Sequence, residues 1–257
     1  MLPYSVWYLL IDTFVVQQAV AWFNEVRVPY RDMLPVRATT YILSLVNTSL
    51  GSGGVAAYLN RRHGIPFWQV TGTVVFIMLI EIYQLAVYSL LGATATGEAS
   101  GLRRVYVAMG LYLVAHLWFF SRPRGERLTK LPVLAAFWKA RPSHYALLLL
   151  YKSPNLLAAV VVYWLALPLF GIDGISIVSL LTYLPIIFFV AAVPVAAAHL
   201  GPAQWAWPMF FANGDEQRGA ALVAFSLAAH LMFMVMNALL GILFLRRASR
   251  ELGPSGS

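Results

Sequence analysis

Glu81 lies near the centre of an apolar run from Phe67 to Leu91, and Lys152 and Asn155 lie about two turns into another, from Tyr145 to Phe170. An ionised side chain in hydrocarbon costs roughly 2.5 kcal/mol or more on insertion scales, so each must face protein or water. Glu81 can pair with a cationic lipid group, carry a proton, or neutralise a base such as Arg61, Arg62 or Lys152. It can equally be half of a structural ion pair that fixes helix register. Lys152 can reach a phosphate, helped by backbone groups freed at Pro154, or snorkel its stem to the nearer interface. Arg61 and Arg62 carry guanidinium forks that bind phosphate oxygens in pairs, although such pairs also serve as plain anchors on the basic side of a membrane. His199 and Gln204 can hydrogen-bond a headgroup, His199 with a response to pH, or simply pack between helices. The chemistry these groups share is recognition of an amphiphile with an anionic head.

Catalytic patterns are missing. No His-x-x-x-His or His-Glu-x-x-His spacing, paired-carboxylate motif or Gly-x-Ser-x-Gly elbow occurs, and the five His are scattered singly. With no Cys there is neither disulfide nor thiolate metal site. No catalytic residue, metal or cofactor is assigned, and a lipid transferase acting through His144 or His199 is the weaker, enzymatic reading. His116 and His230 are read as packing residues. Asp12, with Gln17 and Gln18, makes one side of the first apolar run polar, so that side should face other helices.

The elements that must position these residues are membrane helices. Hydrophobic residues are 60% and charged ones 11% of 257 residues, a balance far from that of a soluble domain. The expected fold is all-α: a helical bundle with about six full spans, at Leu2–Phe23, Phe67–Leu91, Val105–Phe120, Tyr145–Phe170, Ile175–Val193 and Ala220–Phe244. Residues 1–252 form one transmembrane domain, and 253–257 are a tail. Two further apolar pieces are broken. In Ala38–Asn60 the small residues Gly51, Ser52, Gly53 and Gly54 are expected to reverse the chain at membrane depth; the alternative is a close helix contact. In Pro194–Ala212 the residues Pro194, Gly201, Pro202 and Pro208 interrupt a continuous helix. Trp7, Trp22, Trp68, Trp138, Trp205 and Trp207 fall near span ends, as an interfacial belt requires.

Lys and Arg collect on cytoplasmic loops, and this bias sets the orientation. If Ala38–Asn60 is a re-entrant hairpin, Arg27, Arg31, Arg37, Arg61 and Arg62 share one side with the basic residues of 122–141 and 246–250. Arg103, Arg104 and Arg218 then face the other side, and Lys152 stays within a span. The N-terminus lies outside and the C-terminus inside a prokaryotic cytoplasmic membrane. Two interruptions entering from opposite faces are what an inverted repeat produces, and such elements line midplane substrate sites in many transporters. Net charge +8 is met by anionic lipid headgroups and not by nucleic acid, because the bases flank the spans.

Asn47-Thr48-Ser49-Leu50-Gly51-Ser52-Gly53-Gly54, followed by Tyr58-Leu59-Asn60-Arg61-Arg62-His63-Gly64-Ile65-Pro66, resembles the Gly-rich turn and paired basic residues of the lysylphosphatidylglycerol synthase transmembrane region, a flippase-like family. Glu81 falls where that family often carries an acid, and Pro194 with Leu200-Gly201 resembles its second proline–glycine motif. Three positions depart from it: Leu50 stands for proline, His199 for glycine and Gln204 for glutamate, which bears on any mechanism needing that carboxylate. The resemblance implies a lipid translocase moving or binding a phospholipid, glycolipid or isoprenoid lipid. The partner is then membrane lipid, with a lipid-biosynthesis enzyme as a second candidate. Against it stands a non-transporting scaffold, or accessory subunit of a lipid-modifying enzyme, acting through Arg122–Arg141.

Overall fold

A backbone in hydrocarbon must satisfy its own N–H and C=O groups, so apolar runs of this length become helices. The computed structural model describes residues 1–46, 48–97, 102–122, 125–192 and 201–252. The helices are α1 (Leu2–Phe23), α2 (Tyr30–Val46), α3 (Thr48–His63), α4 (Phe67–Thr96), α5 (Arg103–Ser121), α6 (Glu126–Thr129), α7 (Ala135–Lys139), α8 (Pro142–Ala166), α9 (Ile177–Ala192), α10 (Pro202–Phe211) and α11 (Glu216–Leu252). No strand occurs among the described residues. Pro154 and Pro185 lie inside α8 and α9 without ending either helix.

Among the described residues, four helices have the length and composition to cross a membrane: Leu2–Phe23, Phe67–Thr96, Pro142–Phe170 and Glu216–Arg247. The expected count of about six is therefore not confirmed. The other two predicted spans do form helices, but their apolar parts are only Tyr106–Ser121 and Ile177–Ala191. Sixteen residues give roughly 24 Å of helix, short of a hydrocarbon core of about 30 Å.

The first interruption does not turn where its glycines suggested. Helix α2 ends at Val46 and α3 begins at Thr48, so Gly51, Gly53 and Gly54 are helical. Asn47 and the side chain of Leu50 lie outside the described residues. A Cβ on Gly51 would sit 1.9 Å from Ser44 Oγ and 2.9 Å from the Thr40 carbonyl oxygen, and one on Gly54 would sit 2.8 Å from Thr40 Cγ2. These glycines let α3 lie against α2, the role small residues commonly play between membrane helices. Gly53 has nothing within 4 Å of such a Cβ and points elsewhere.

The chain divides into two compact units. One holds Leu2–Ile80, His116–Lys152 and Met234–Ser257; the other holds Glu81–Ala115 and Ser153–Phe233. Helices α4, α5, α8 and α11 contribute to both. In the first unit Leu9, Ala38, Tyr41 and Leu240 form a core flanked by Tyr8, Leu34 and Phe244. Leu240 of α11 joins Ala38 and Tyr41 of α2 in that core, and the start of α2 brings Arg31 to one end of the unit. Antiparallel α3 returns Arg61 and Arg62 to that end too. Lys139 Nζ donates to the Phe23 carbonyl at 3.0 Å and pairs with Glu25 at 2.7 Å. The α5–α8 connection is thereby drawn to the same basic end.

In the second unit Tyr163 of α8 stacks on Trp207 of α10 at 5.8 Å, and both meet Phe225 of α11 edge-on. A Cβ on Gly92 of α4 would come within 2.6 Å of the Thr182 nitrogen of α9, a second glycine-mediated approach. At the second interruption, Pro194 and His199 lie outside the described residues. Gly201 has φ +114°, a conformation that side chains disfavour, and Pro202 then starts α10, which runs on through Pro208. Pro208, expected to interrupt a helix, instead lies inside one.

The contrast between Gly51 and Gly53 is testable. Gly51→Ala should destabilise the protein by about 1–3 kcal/mol, because the Thr40 carbonyl cannot yield as a side chain would. Gly53→Ala should be neutral or stabilising by up to about 1 kcal/mol, through helix propensity. Reversible unfolding in mixed micelles measures both; a turn at these glycines would instead make both substitutions harmful.

Candidate functional site

Helix α1 buries Ser5, Leu9, Asp12, Val16, Val20 and Phe23, a stripe at three- and four-residue spacing with Asp12 at its middle. Asp12 is 5% exposed and requires a cation. The partner is Arg37 of α2, whose Nε donates to Asp12 Oδ2; the two side chains are 18% and 6% exposed respectively. Tyr41, one turn further along α2, donates its hydroxyl to the same Oδ2 at 3.0 Å.

Arg37 has further support. Its Nη1 donates to Thr40 Oγ1 at 3.3 Å, and the Thr40 hydroxyl in turn donates to the Arg37 carbonyl at 2.7 Å. The guanidinium carbon lies 5.3 Å from the Tyr41 ring centroid, a cation–π contact. Residues 37, 40 and 41 share one helix face, so a single side of α2 delivers all three groups to Asp12. Two bonds fix the α1–α2 connection: Gln17 Nε2 to the Val28 carbonyl at 2.7 Å, and Tyr30 Oη to the Leu10 carbonyl at 2.8 Å.

Lys152 is 7% exposed on α8 and lies near enough to Asp12 for its charge to act on the carboxylate. Phe14 and Tyr151 pack edge-to-face at 5.0 Å and hold α8 against α1. The first unit therefore contains a buried ionic cluster of Asp12, Arg37 and Tyr41 between α1 and α2, with Lys152 of α8 close enough for its charge to act on it. Its donors, the Arg37 guanidinium and the Tyr41 hydroxyl, converge on one carboxylate oxygen.

The sequence-predicted site residues are not gathered into one place. Arg61 and Arg62 end α3 with exposed side chains, and with Lys152 they belong to the first unit. Glu81, half-buried on α4, belongs with Asn155 and Gln204 to the second. Asn155 is buried, and its Oδ1 finds no partner among the described residues. Gln204 uses Oε1 to accept the Gly201 N–H at 2.6 Å, which caps α10; its Nε2 has no partner among the described residues. Gly201 and Pro202 are a helix start, while Gly51 and Gly54 are packing contacts.

Two of the described histidines pack against aromatic rings. His116 shares a hydrogen bond with Tyr145 Oη at 2.9 Å and packs on Phe120 and Phe137, as a packing residue does. His144 stacks on Trp22 at 5.0 Å, and its Nδ1 accepts the Arg141 N–H at 3.2 Å. No group of three or more His, Asp or Glu among the described residues is placed to hold a metal.

Sequence reasoning used Arg37 only as one of the basic residues that orient the chain, and Tyr41 not at all. A usable signal existed: Asp12 is the sole acid of the first span, and Arg37 is the only base more than one turn inside α2. No family model, curated protein or solved structure matches this chain.

Removing Arg37 leaves Asp12 to the Tyr41 hydroxyl and the nearby charge of Lys152, so Arg37→Ala should destabilise by about 1–3 kcal/mol, less than a fully stranded charge would cost. The double change Asp12→Asn with Arg37→Gln should cost less than Arg37→Ala alone, which unfolding titrations in micelles can measure.

At the basic end the Lys139 ammonium donates to Glu25 and holds its carboxyl below the ordinary value. A carboxyl whose value is lower when folded contributes stability above its unfolded value and loses it as pH falls through the folded one. The difference in thermal midpoint between wild type and Glu25→Gln should therefore be small at neutral pH, vanish in acid, and shrink with added salt.

Proposed function

We propose that this chain is a flippase-like lipid translocase of a prokaryotic cytoplasmic membrane, with its N-terminus outside and its C-terminus in the cytoplasm. The observation that carries this reading is the ionic cluster of Asp12, Arg37 and Tyr41 with the nearby charge of Lys152, buried among apolar helices where each charge is expensive. A helix pair held only for stability could use apolar contacts at lower cost. The α2–α3 hairpin returning to the basic end supports the orientation, since cytoplasmic ends collect Lys and Arg.

The headgroup of an anionic phospholipid, glycolipid or isoprenoid lipid binds by taking the place of the Asp12 carboxylate on Arg37, with Lys152 as second cation. Its chains stay in hydrocarbon while the head passes, which removes the main barrier to flip-flop, the burial of a polar group without partners. Arg61 and Arg62 receive the head at the inner surface. With no nucleotide-binding loop in the sequence, movement is downhill or ion-coupled, and Glu81 is the candidate coupling group.

Reconstitution into vesicles with a fluorescent anionic phospholipid, followed by chemical quenching of the outer leaflet, tests this directly. The wild type should equilibrate the leaflets. Lys152→Gln should slow it roughly 10- to 100-fold, the loss expected for one charge-assisted hydrogen bond. Glu81→Gln should remove any dependence on an ion gradient. Movement no faster than in protein-free vesicles would sink the proposal in favour of a scaffold.

A further inference from the structure

Where α10 ends and α11 begins, Val190, Pro202, Trp205, Ala206, Met209 and Gly219 border a cavity of about 780 Å3. Its volume falls within the roughly 300–1,000 Å3 of ligand pockets. The lining is apolar except for two charged residues, Asp215 and Glu216, both exposed. No ion pair occupies either carboxylate among the described residues. Asp215 Oδ1 accepts the backbone N–H of Arg218 at 3.0 Å, and Arg218 Nε is committed to the Phe211 carbonyl at 2.8 Å.

The position matches the headgroup level of a bilayer. Glu216 begins a helix long and apolar enough to cross, so it marks one end of a span. Trp205 and Met209 beside the cavity are 81% and 80% exposed, and tryptophan favours the interface.

We propose that this cavity binds a zwitterionic, amine-headed phospholipid, with a hydrocarbon chain along α10 and the ammonium held by Asp215 and Glu216. An anionic lipid would bring its only charge against two carboxylates, and a water-soluble amine would leave the apolar lining unfilled. The site uses none of Asp12, Arg37 or Lys152 and does not depend on translocation.

Native mass spectrometry of the full chain, released from micelles holding equal amounts of phosphatidylethanolamine, phosphatidylcholine and phosphatidylglycerol with matched chains, tests it. Retention of phosphatidylethanolamine should exceed that of phosphatidylglycerol about two- to fivefold, as suits partly exposed ion pairs. Asp215→Asn with Glu216→Gln should bring the ratio to one while keeping the helix cap. Gly219→Leu should remove the bound lipid altogether, since a Cβ there meets only Ala212 and Pro208, at 3.7 and 3.9 Å, and the longer side chain enters the cavity. Equal retention of the three lipids by the wild type, or a preference that survives the neutralised pair, would overturn the proposal. If Gly219→Leu fails to fold, the carboxylate variant alone decides.

Discussion

A carboxylate buried in an apolar helix bundle fixes its surroundings, because leaving it unpaired costs more than most single contacts contribute. Asp12 imposes this condition on the first unit. It sits at the middle of the buried stripe of α1, so Arg37 must come to it, and α2 must then run back along α1 in one register. Tyr41 follows on the same face and joins the core that holds Leu240 of α11. Helix α3 is set against α2 by Gly51 and Gly54. The docking of α1, α2, α3 and α11 thus traces back to one ionic contact, with glycine approaches completing it.

The fold class was legible because lipid makes few demands and makes them strictly. Long uncharged runs have to be helices, and the predicted bounds of α1, Leu2–Phe23, agree with the observed ones. Span number was less legible: within the described residues the apolar helical parts of the segments expected at Val105–Phe120 and Ile175–Val193 are 106–121 and 177–191, and composition alone does not fix where a helix ends. Gly51–Gly54 misled for a specific reason. Glycine marks both a chain reversal and a close helix approach, and the two differ only in what stands opposite. Here Thr40 and Ser44 stand opposite on an antiparallel neighbour, which no local spacing discloses.

The candidate site was half legible. Asp12 was expected to face other helices, and Lys152 was singled out; both are buried, and the charge of Lys152 acts on Asp12. Arg37 escaped notice because its partner is 25 positions away and no periodic rule links residues across a turn. Lys139 is a similar case. It read as one more base in the 122–141 segment, yet it caps α1 at the Phe23 carbonyl, where a cation meets the negative end of a helix. Charge along that segment therefore does structural work that a docking surface for a partner enzyme would compete with.

A buried pair that serves only as a staple gains from having no alternatives, since every alternative partner lowers the cost of opening it. The Asp12 cluster is built the other way. Arg37 without the carboxylate would keep Thr40 Oγ1 and the Tyr41 ring, and Asp12 without Arg37 would keep the Tyr41 hydroxyl and the nearby charge of Lys152. Each half stays partly satisfied when the other is displaced, so the penalty for exchange falls well below that for stranding a lone charge. An incoming phosphate would then compete for one contact in a network and not for the whole of it. A headgroup site of the proposed kind would need that graded satisfaction, and Tyr41 and Thr40 supply it at the same depth as the pair.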